Sequence, residues 1–356
     1  MKKTVLDLAA IAASSAAFAQ SSVTLYGVVD ASVESVKGDK TVTRVSSDNL
    51  ASSRIAFKGV EDLGGGLKAT FLLDASAKVD NGGSDSAFFS RSAYVGLAGG
   101  FGEVRLGRQD SLIGAQLFGV TGAQAYDEGK ISGVLAGNDL RRLDNAITYI
   151  APTLVPGLTL AAQFSTGYSS SVTTEDNGND GRTYGFSAAY ANGPLSAGLS
   201  YIKANTDVAG DVENTGVLVF GAYDFGVAKL TAYYNTDDRD TASGQQYDDR
   251  NLYGFKVAVP VATGVTLTGG YAQVRGAKGD ATNTAVAGSF NNKNTQDDKA
   301  SILTFRAQYD LSKRTALYAL FTQVRNDKNT DLSVSGVTIA NDKSSRGLAV
   351  GVRHCF

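Results

Sequence analysis

The stretch Leu348-Ala349-Val350-Gly351-Val352-Arg353-His354-Cys355-Phe356 decides the fold. Leu348, Val350, Val352 and Phe356 share one parity, and Ala349, Gly351, Arg353 and Cys355 share the other. Side chains of a strand point alternately to opposite faces, so this segment has one oily face and one small or polar face. Such a strand sits between an apolar medium and water. The same alternation recurs upstream. Val23, Leu25, Val29, Ala31 and Val33 alternate with Thr24, Tyr26, Asp30, Ser32 and Glu34. Ile55 and Phe57 oppose Arg54, Ala56 and Lys58, while Leu230, Ala232 and Tyr234 oppose Thr231 and Tyr233.

The amino terminus carries an address. Met1-Lys2-Lys3 is a basic head, Val5 to Ala17 is mostly apolar despite Asp7, and Ala17-Phe18-Ala19 before Gln20 fits a small-residue cleavage site. Residues 1–19 therefore read as a secretory signal peptide, too short in its apolar part to span a bilayer. The alternative is a buried N-terminal helix of the mature protein. Cleavage would remove Lys2, Lys3 and Asp7 and take the formal charge from −2 to −3.

Residues 20–356 are long for one soluble domain, yet no Pro-rich hinge, charge block or shift in composition divides them. Forty-one Gly, sixteen Tyr and sixteen Phe against four Pro suit many strands and tight turns. The single Cys355 has no internal disulfide partner. No run after Ala19 reaches the ~18 apolar residues of a membrane helix, and the near-neutral charge gives no reason to expect nucleic-acid binding.

Seven short connections punctuate the chain: 61–66, 98–102, 152–157, 192–194, 224–226, 260–264 and 310–313. Between them fall eight longer polar stretches near 37–49, 78–88, 109–141, 168–182, 203–214, 235–248, 275–298 and 326–344. These fifteen connections join sixteen strands. Short turns at one end, long loops at the other and an even strand number describe an all-β, 16-stranded antiparallel transmembrane barrel. Closure is required, because an open edge in hydrocarbon leaves backbone N–H and C=O groups unpaired. Aromatics at expected strand ends (Phe88-Phe89, Phe101, Tyr223-Phe225, Tyr233-Tyr234, Tyr309 and Tyr318) suit headgroup girdles. A secreted β-sandwich or β-helix would share the alternation but not the regular short and long connections.

A last strand ending in Phe356 resembles the closing strand of bacterial outer-membrane barrels, where the terminal aromatic belongs to the signal read by the barrel assembly machinery. The mature chain as a whole resembles the general porins of the neisserial and betaproteobacterial type. The resemblance rests on Ser21 to Gly27 (SSVTLYG), Ser53 to Ala69 (SRIAFKGVEDLGGGLKA), Phe101 to Gln109 (FGEVRLGRQ), Asp144 to Tyr149 (DNAITY), Tyr223 to Gly226, Tyr309 to Thr315 (YDLSKRT), and Arg353-His354 before Phe356. Cys355 departs from the basic or polar residue expected there, and its parity points it inward at the rim.

The resemblance implies a homotrimer of barrels in outer-membrane lipid including lipopolysaccharide, each with its own pore for small hydrophilic solutes and anions, and no cofactor. It also implies that the long loop from about Gln109 to Arg141 folds into the barrel as the constriction. That loop carries Asp110, Asp127, Glu128 and Asp139, and its Ile113, Leu117, Phe118 and Leu135 are candidates to pin it to the wall. Opposite it the resemblance places Arg54, Arg91 and Arg142. Arg stays charged and offers a rigid fork of donors to a passing carboxylate or phosphate. A ring of such cations favours anions, giving weak anion selectivity. The alternative is that these arginines only pair with loop carboxylates. By parity Arg105 faces inward, Arg91 faces outward unless the strand bulges, and Arg108 turns inward only on entering the loop.

Catalysis finds no support. The sole His354 has lipid-facing parity, a poor place for a general base. One Cys and one His make no structural zinc site. Asp176 to Gly181 resembles a calcium loop superficially, but Ser187 stands where the closing Glu belongs. An adhesin or structural barrel without conductance, and a more substrate-specific channel, are the competing readings; stepwise current in a bilayer separates the first.

Overall fold

The computed structural model describes residues 21–131, 141–167, 182–206, 212–241, 246–275, 299–327 and 330–356. The signal-peptide residues 1–19, Asp139, Leu135 and the calcium-loop look-alike lie outside the described residues.

Seventeen β-segments follow in order: β1 (Ser22–Lys37), β2 (Thr41–Ser47), β3 (Arg54–Gly64), β4 (Leu67–Ser76), β5 (Ser92–Gly99), β6 (Gly102–Asp110), β7 (Arg142–Ile150), β8 (Leu158–Ser165), β9 (Thr183–Asn192), β10 (Leu195–Thr206), β11 (Val212–Asp224), β12 (Lys229–Thr241), β13 (Gln246–Ala262), β14 (Val265–Arg275), β15 (Lys299–Asp310), β16 (Thr315–Asn326) and β17 (Ser344–Cys355). Each pairs antiparallel with the next from β3 onward, and β17 closes on β1 through Val28↔Cys355 to Lys37↔Arg346. Both β2 and β3 lie against β1, which meets Ser47 to Thr41 with residues 31–37 and Val60 to Arg54 with residues 22–28. The second stave is thus one strand in two pieces, and among the described residues seventeen segments make a closed barrel of sixteen staves.

Residues 48–53, which interrupt that stave, turn into the lumen, where Asn49, Leu50 and Ser53 are buried. Asp30 replaces the missing ladder. Its Oδ1 accepts from the backbone N–H groups of Asn49 (2.9 Å) and Leu50 (3.3 Å), and its own N–H donates to Ser53 Oγ at 3.0 Å. These bonds satisfy backbone groups that the break would otherwise orphan.

The parity read from the sequence sets the two faces. Val23, Leu25, Val29, Val33, Leu348, Val350 and Val352 are exposed on the outside, while Asp30, Ser32 and Glu34 are buried inside. Apolar residues outward and polar residues inward is the arrangement of a barrel in lipid. Phe356 extends the closing strand, exchanging two backbone hydrogen bonds of 3.1 Å with Gly27.

All seven short turns occur where expected. The long connections differ. The first is strand as far as a three-residue turn at 38–40, with the irregular part displaced to 48–53, and β12 and β13 run on as strand through most of 235–248. Strands that rise past the bilayer have water on both sides, so their polar composition imitates a loop. Tyr318 and Tyr233, expected in a girdle, are buried inside the barrel. Each shares its parity with lumenal residues, whereas Phe101, Tyr223, Phe225 and Tyr309 are exposed near the short turns.

Candidate functional site: the lumen and its inward loop

The loop between β6 and β7 enters the barrel and forms a helix, α1 (Leu112–Thr121), followed by a single 3-10 turn, Glu128–Ile131. Ser111 starts the helix, its Oγ accepting from the Gly114 N–H at 3.0 Å, and the Gln163 side chain accepts from Leu112 N–H at 3.2 Å. An N-cap hydroxyl and a wall amide thus satisfy two of the free donors of the first turn. Ile113 and Leu117, one helical turn apart, are fully buried in a cluster with Ile202, Leu218 and Leu252 on the inner faces of β10, β11 and β13. At the far end Lys256 Nζ donates to the carbonyls of Val120 (3.2 Å) and Thr121 (3.1 Å), an ammonium at the negative end of the helix dipole.

Asp127 and Glu128 do not line the open side. Asp127 accepts from Arg306 Nη2 at 2.6 Å and from the Gln124 backbone N–H at 3.1 Å. Glu128 meets Lys256 Nζ at 2.8 Å and accepts from the Thr304 hydroxyl, lying against Gly270, where any Cβ would collide with it. Both carboxylates are buried, and burial pushes Asp127 above the usual carboxylate range while Arg306 and then Lys256 oppose the shift. They hold the loop to the wall of β13 and β15. Asp110 is half exposed and accepts from Arg142 Nε at 3.0 Å.

The cations converge on the other side. Arg44, Lys78, Arg91, Lys130, Arg141 and Arg142 line one cleft of about 630 Å³ with Asp48, Asp80 and Asp85. Arg91 stands just before β5, outside the alternation, so its side chain reaches Asp74 Oδ2 at 3.3 Å inside the barrel. The outward direction that parity gives it does not apply. Arg54 faces inward, in the electrostatic field of Asp74 together with Arg91. Arg105 also faces inward, 2.8 Å from Glu103 and 4.9 Å over the Tyr94 ring. Arg108 turns in by a different route from loop entry: a bulge between Gly107 and Gln109 reverses the alternation, and Arg108 bonds Asp144 and the Ser90 carbonyl. Gly107 adopts φ +129° at that bulge, a conformation open to glycine.

Lys130, Arg141, Lys256 and Arg306 escaped the reading of the sequence as site residues. Lys256 and Arg306 were accessible to it, since each follows a lipid-facing phenylalanine (Phe255, Phe305) in a regular strand. Arg141 stacks over the Phe118 ring at 4.5 Å. Loss of water, and secondarily Arg142, holds its guanidinium down to about 10. Partial loss of water likewise pushes the Lys130 ammonium below the usual lysine range.

A closed barrel, oily without and wet within, narrowed by a pinned inward loop, defines a diffusion pore of the outer membrane. Residues 8–329 match the family model described as Gram-negative porin, and the chain belongs to that family. Over the full length of both chains it is 33% identical to outer membrane porin protein 32 of Delftia acidovorans and 28% identical to major outer membrane protein P.IB of Neisseria gonorrhoeae. Among solved structures, the anion-selective porin from Comamonas acidovorans superposes with a TM-score of 0.80 at 29% identity, covering 95% of this chain and all of that one. OmpF of Salmonella typhi, in complex with daunomycin, shares the fold at a TM-score of 0.66 and 18% identity, covering 94% of this chain and 97% of that one. The protein is a multi-pass β-barrel of the outer membrane and a porin.

Proposed function

We propose that this porin passes small hydrophilic solutes passively and prefers anions weakly, with the third loop as its constriction. One observation carries the reading: six cationic side chains and three carboxylates share the cleft beside the loop, while Asp127 and Glu128 are buried in ion pairs elsewhere. Local charge, not the net −2 of the chain, sets the barrier to an ion. The relative from Comamonas described as anion-selective supports the same sign. Arg91 and Arg142 are wall cations of this cleft, Arg54 and Arg105 continue the basic track on the wall outside its lining, and Asp110 moderates Arg142.

Secretion through a signal peptide ending at Ala19, assembly as a homotrimer, recognition of Phe356 by the barrel assembly machinery and contact with lipopolysaccharide complete the reading. They rest on the sequence pattern and on family membership. No catalytic role is assigned, since His354 lies on the outer face with Nδ1 2.9 Å from Thr315 Oγ1. The test is the zero-current potential of the protein in a planar bilayer across a salt gradient. Anion-selective steps are expected, weakened in Arg54→Ala plus Arg142→Ala. A cation-selective potential that this double change leaves unmoved would refute the proposal.

A further inference from the structure

Glu34 is a carboxylate on the inner face of β1, fully buried, and distant in sequence from the third and last loops. Five side-chain donors converge on it. Oε1 accepts from Arg44 Nε at 2.6 Å, Ser46 Oγ at 2.5 Å and Ser335 Oγ at 2.9 Å. Oε2 accepts from Asn49 Nδ2 at 3.1 Å and Tyr126 OH at 3.0 Å. These donors come from β2, the inturned segment 48–53, the third loop and the last loop (residues 327–343). Arg44 strengthens the junction by donating Nη2 to the Ser335 carbonyl at 2.7 Å. Tyr126 is held at both ends, because its own carbonyl accepts from Thr322 Oγ1 at 2.9 Å. Gln124, two residues away, meets Ser52 of the inturned segment through its side-chain amide at 2.9 Å.

We propose that Glu34 is the positioning residue of the pore: one carboxylate on the inner face of the wall holds three separate lumenal segments together and thereby fixes the bore. All three contribute to the cation-rich cleft, through Asn49 and Ser52, through Ala123 to Ala125 and Lys130, and through Ser335 and Gly336. Loops are the low-stability parts of a fold, and an unfastened one samples several positions. A carboxylate suits the junction because it is acceptor-only and serves several donors on two oxygens. An amide of the same shape would turn its NH2 donor toward Arg44 Nε or toward Asn49 Nδ2, neither of which accepts, whichever way it was rotated. Glu34 touches no permeating ion; it acts through the loops it holds. The inference rests on the chain being a conducting porin, as proposed above.

The test compares Glu34→Gln with the unchanged full-length protein in planar bilayers, and in liposomes swelling in sugars of graded size. In Glu34→Gln we expect open-channel noise to rise, and uptake of the largest sugar still admitted to rise about threefold, once the loops are unfastened. Anion preference should persist, since Arg91, Arg141 and Arg142 keep their charges. Tyr126→Phe plus Ser335→Ala removes the two bonds from the third and last loops to Glu34, along with the 2.8 Å bond from Arg44 Nη2 to Ser335 Oγ, and leaves the Glu34 carboxylate in place. It should reproduce most of the effect, and it decides the matter if Glu34→Gln does not assemble. Unchanged noise and sugar cut-off in an assembled Glu34→Gln barrel, or in the double variant, overturns the proposal. An unchanged protein that forms no channels would defeat the porin reading itself.

Discussion

The two sides of the lumen are built on opposite principles. Against β10 to β15 the third loop is dry: Ile113 and Leu117 sit in an aliphatic cluster, and Asp127 and Glu128 spend their charges on Arg306 and Lys256. On the other side Arg91, Arg141, Arg142 and Lys130 face a shared cleft with few carboxylates to answer them. The loop is acidic by composition, yet it presents a basic margin to the opening. Burial removes Asp127 and Glu128 from the electrostatics of the pore, because each is matched by a wall cation at contact distance. Selectivity is therefore decided by which charges are compensated, not by how many there are.

That contrast breaks most severely if a pin on the dry side loses one partner. Glu128→Ala leaves the Lys256 ammonium enclosed without its carboxylate, a change that costs on the order of 3–5 kcal/mol when a buried pair is broken. Hydrogen exchange over residues 112–131 should rise sharply; protection equal to the unchanged protein would show that the pair does not hold the loop. Leu117→Ala tests the apolar half of the attachment and should weaken it by about 3 kcal/mol through lost burial and a cavity. The same exchange measurement reads it, without any change in charge.

On the wet side the effects are smaller and appear as selectivity. Arg141→Ala should lower the anion-to-cation permeability ratio by roughly twofold, since it removes an unmatched cation from the cleft. Arg108→Ala should lower it less, because Asp144 already compensates that charge. Equal zero-current potentials for the two variants would contradict the comparison. The smallest effect is on pH. Lys130 and Arg141 are both held below their ordinary ranges by lost hydration. A base with a lowered pKa releases its proton at a lower pH than usual, so anion preference should fade as pH rises toward 10, before the other lysines have discharged. A ratio constant to pH 10.5 would show that these two groups do not contribute.

Much of this was legible in the chain. Alternation at Val23 to Glu34 and Leu348 to Phe356 gives the two faces, because a strand has a period of two and the membrane rewards only one parity. Arg54 and Arg105 follow from the same count, and Arg142 from the resemblance. Arg91 and Arg108 did not, since one lies outside its strand and the other follows a bulge, and either event breaks the period. The direction of Asp127 and Glu128 was equally hidden: nothing local tells a loop carboxylate that a lysine 128 positions from Glu128, Lys256, stands opposite.

The sequence by itself determined a barrel of sixteen staves, its lipid-facing and water-facing residues, its turns and the identity of its longest loop. These are consequences of short-range periodicity and turn chemistry, which adjacent residues carry. Only the tertiary structure decided which charges are cancelled, where the second stave opens inward, and that Glu34 gathers Arg44, Asn49, Tyr126 and Ser335. Those outcomes depend on distances between segments far apart in the chain, and closure of the cylinder is what brings them within hydrogen-bonding range.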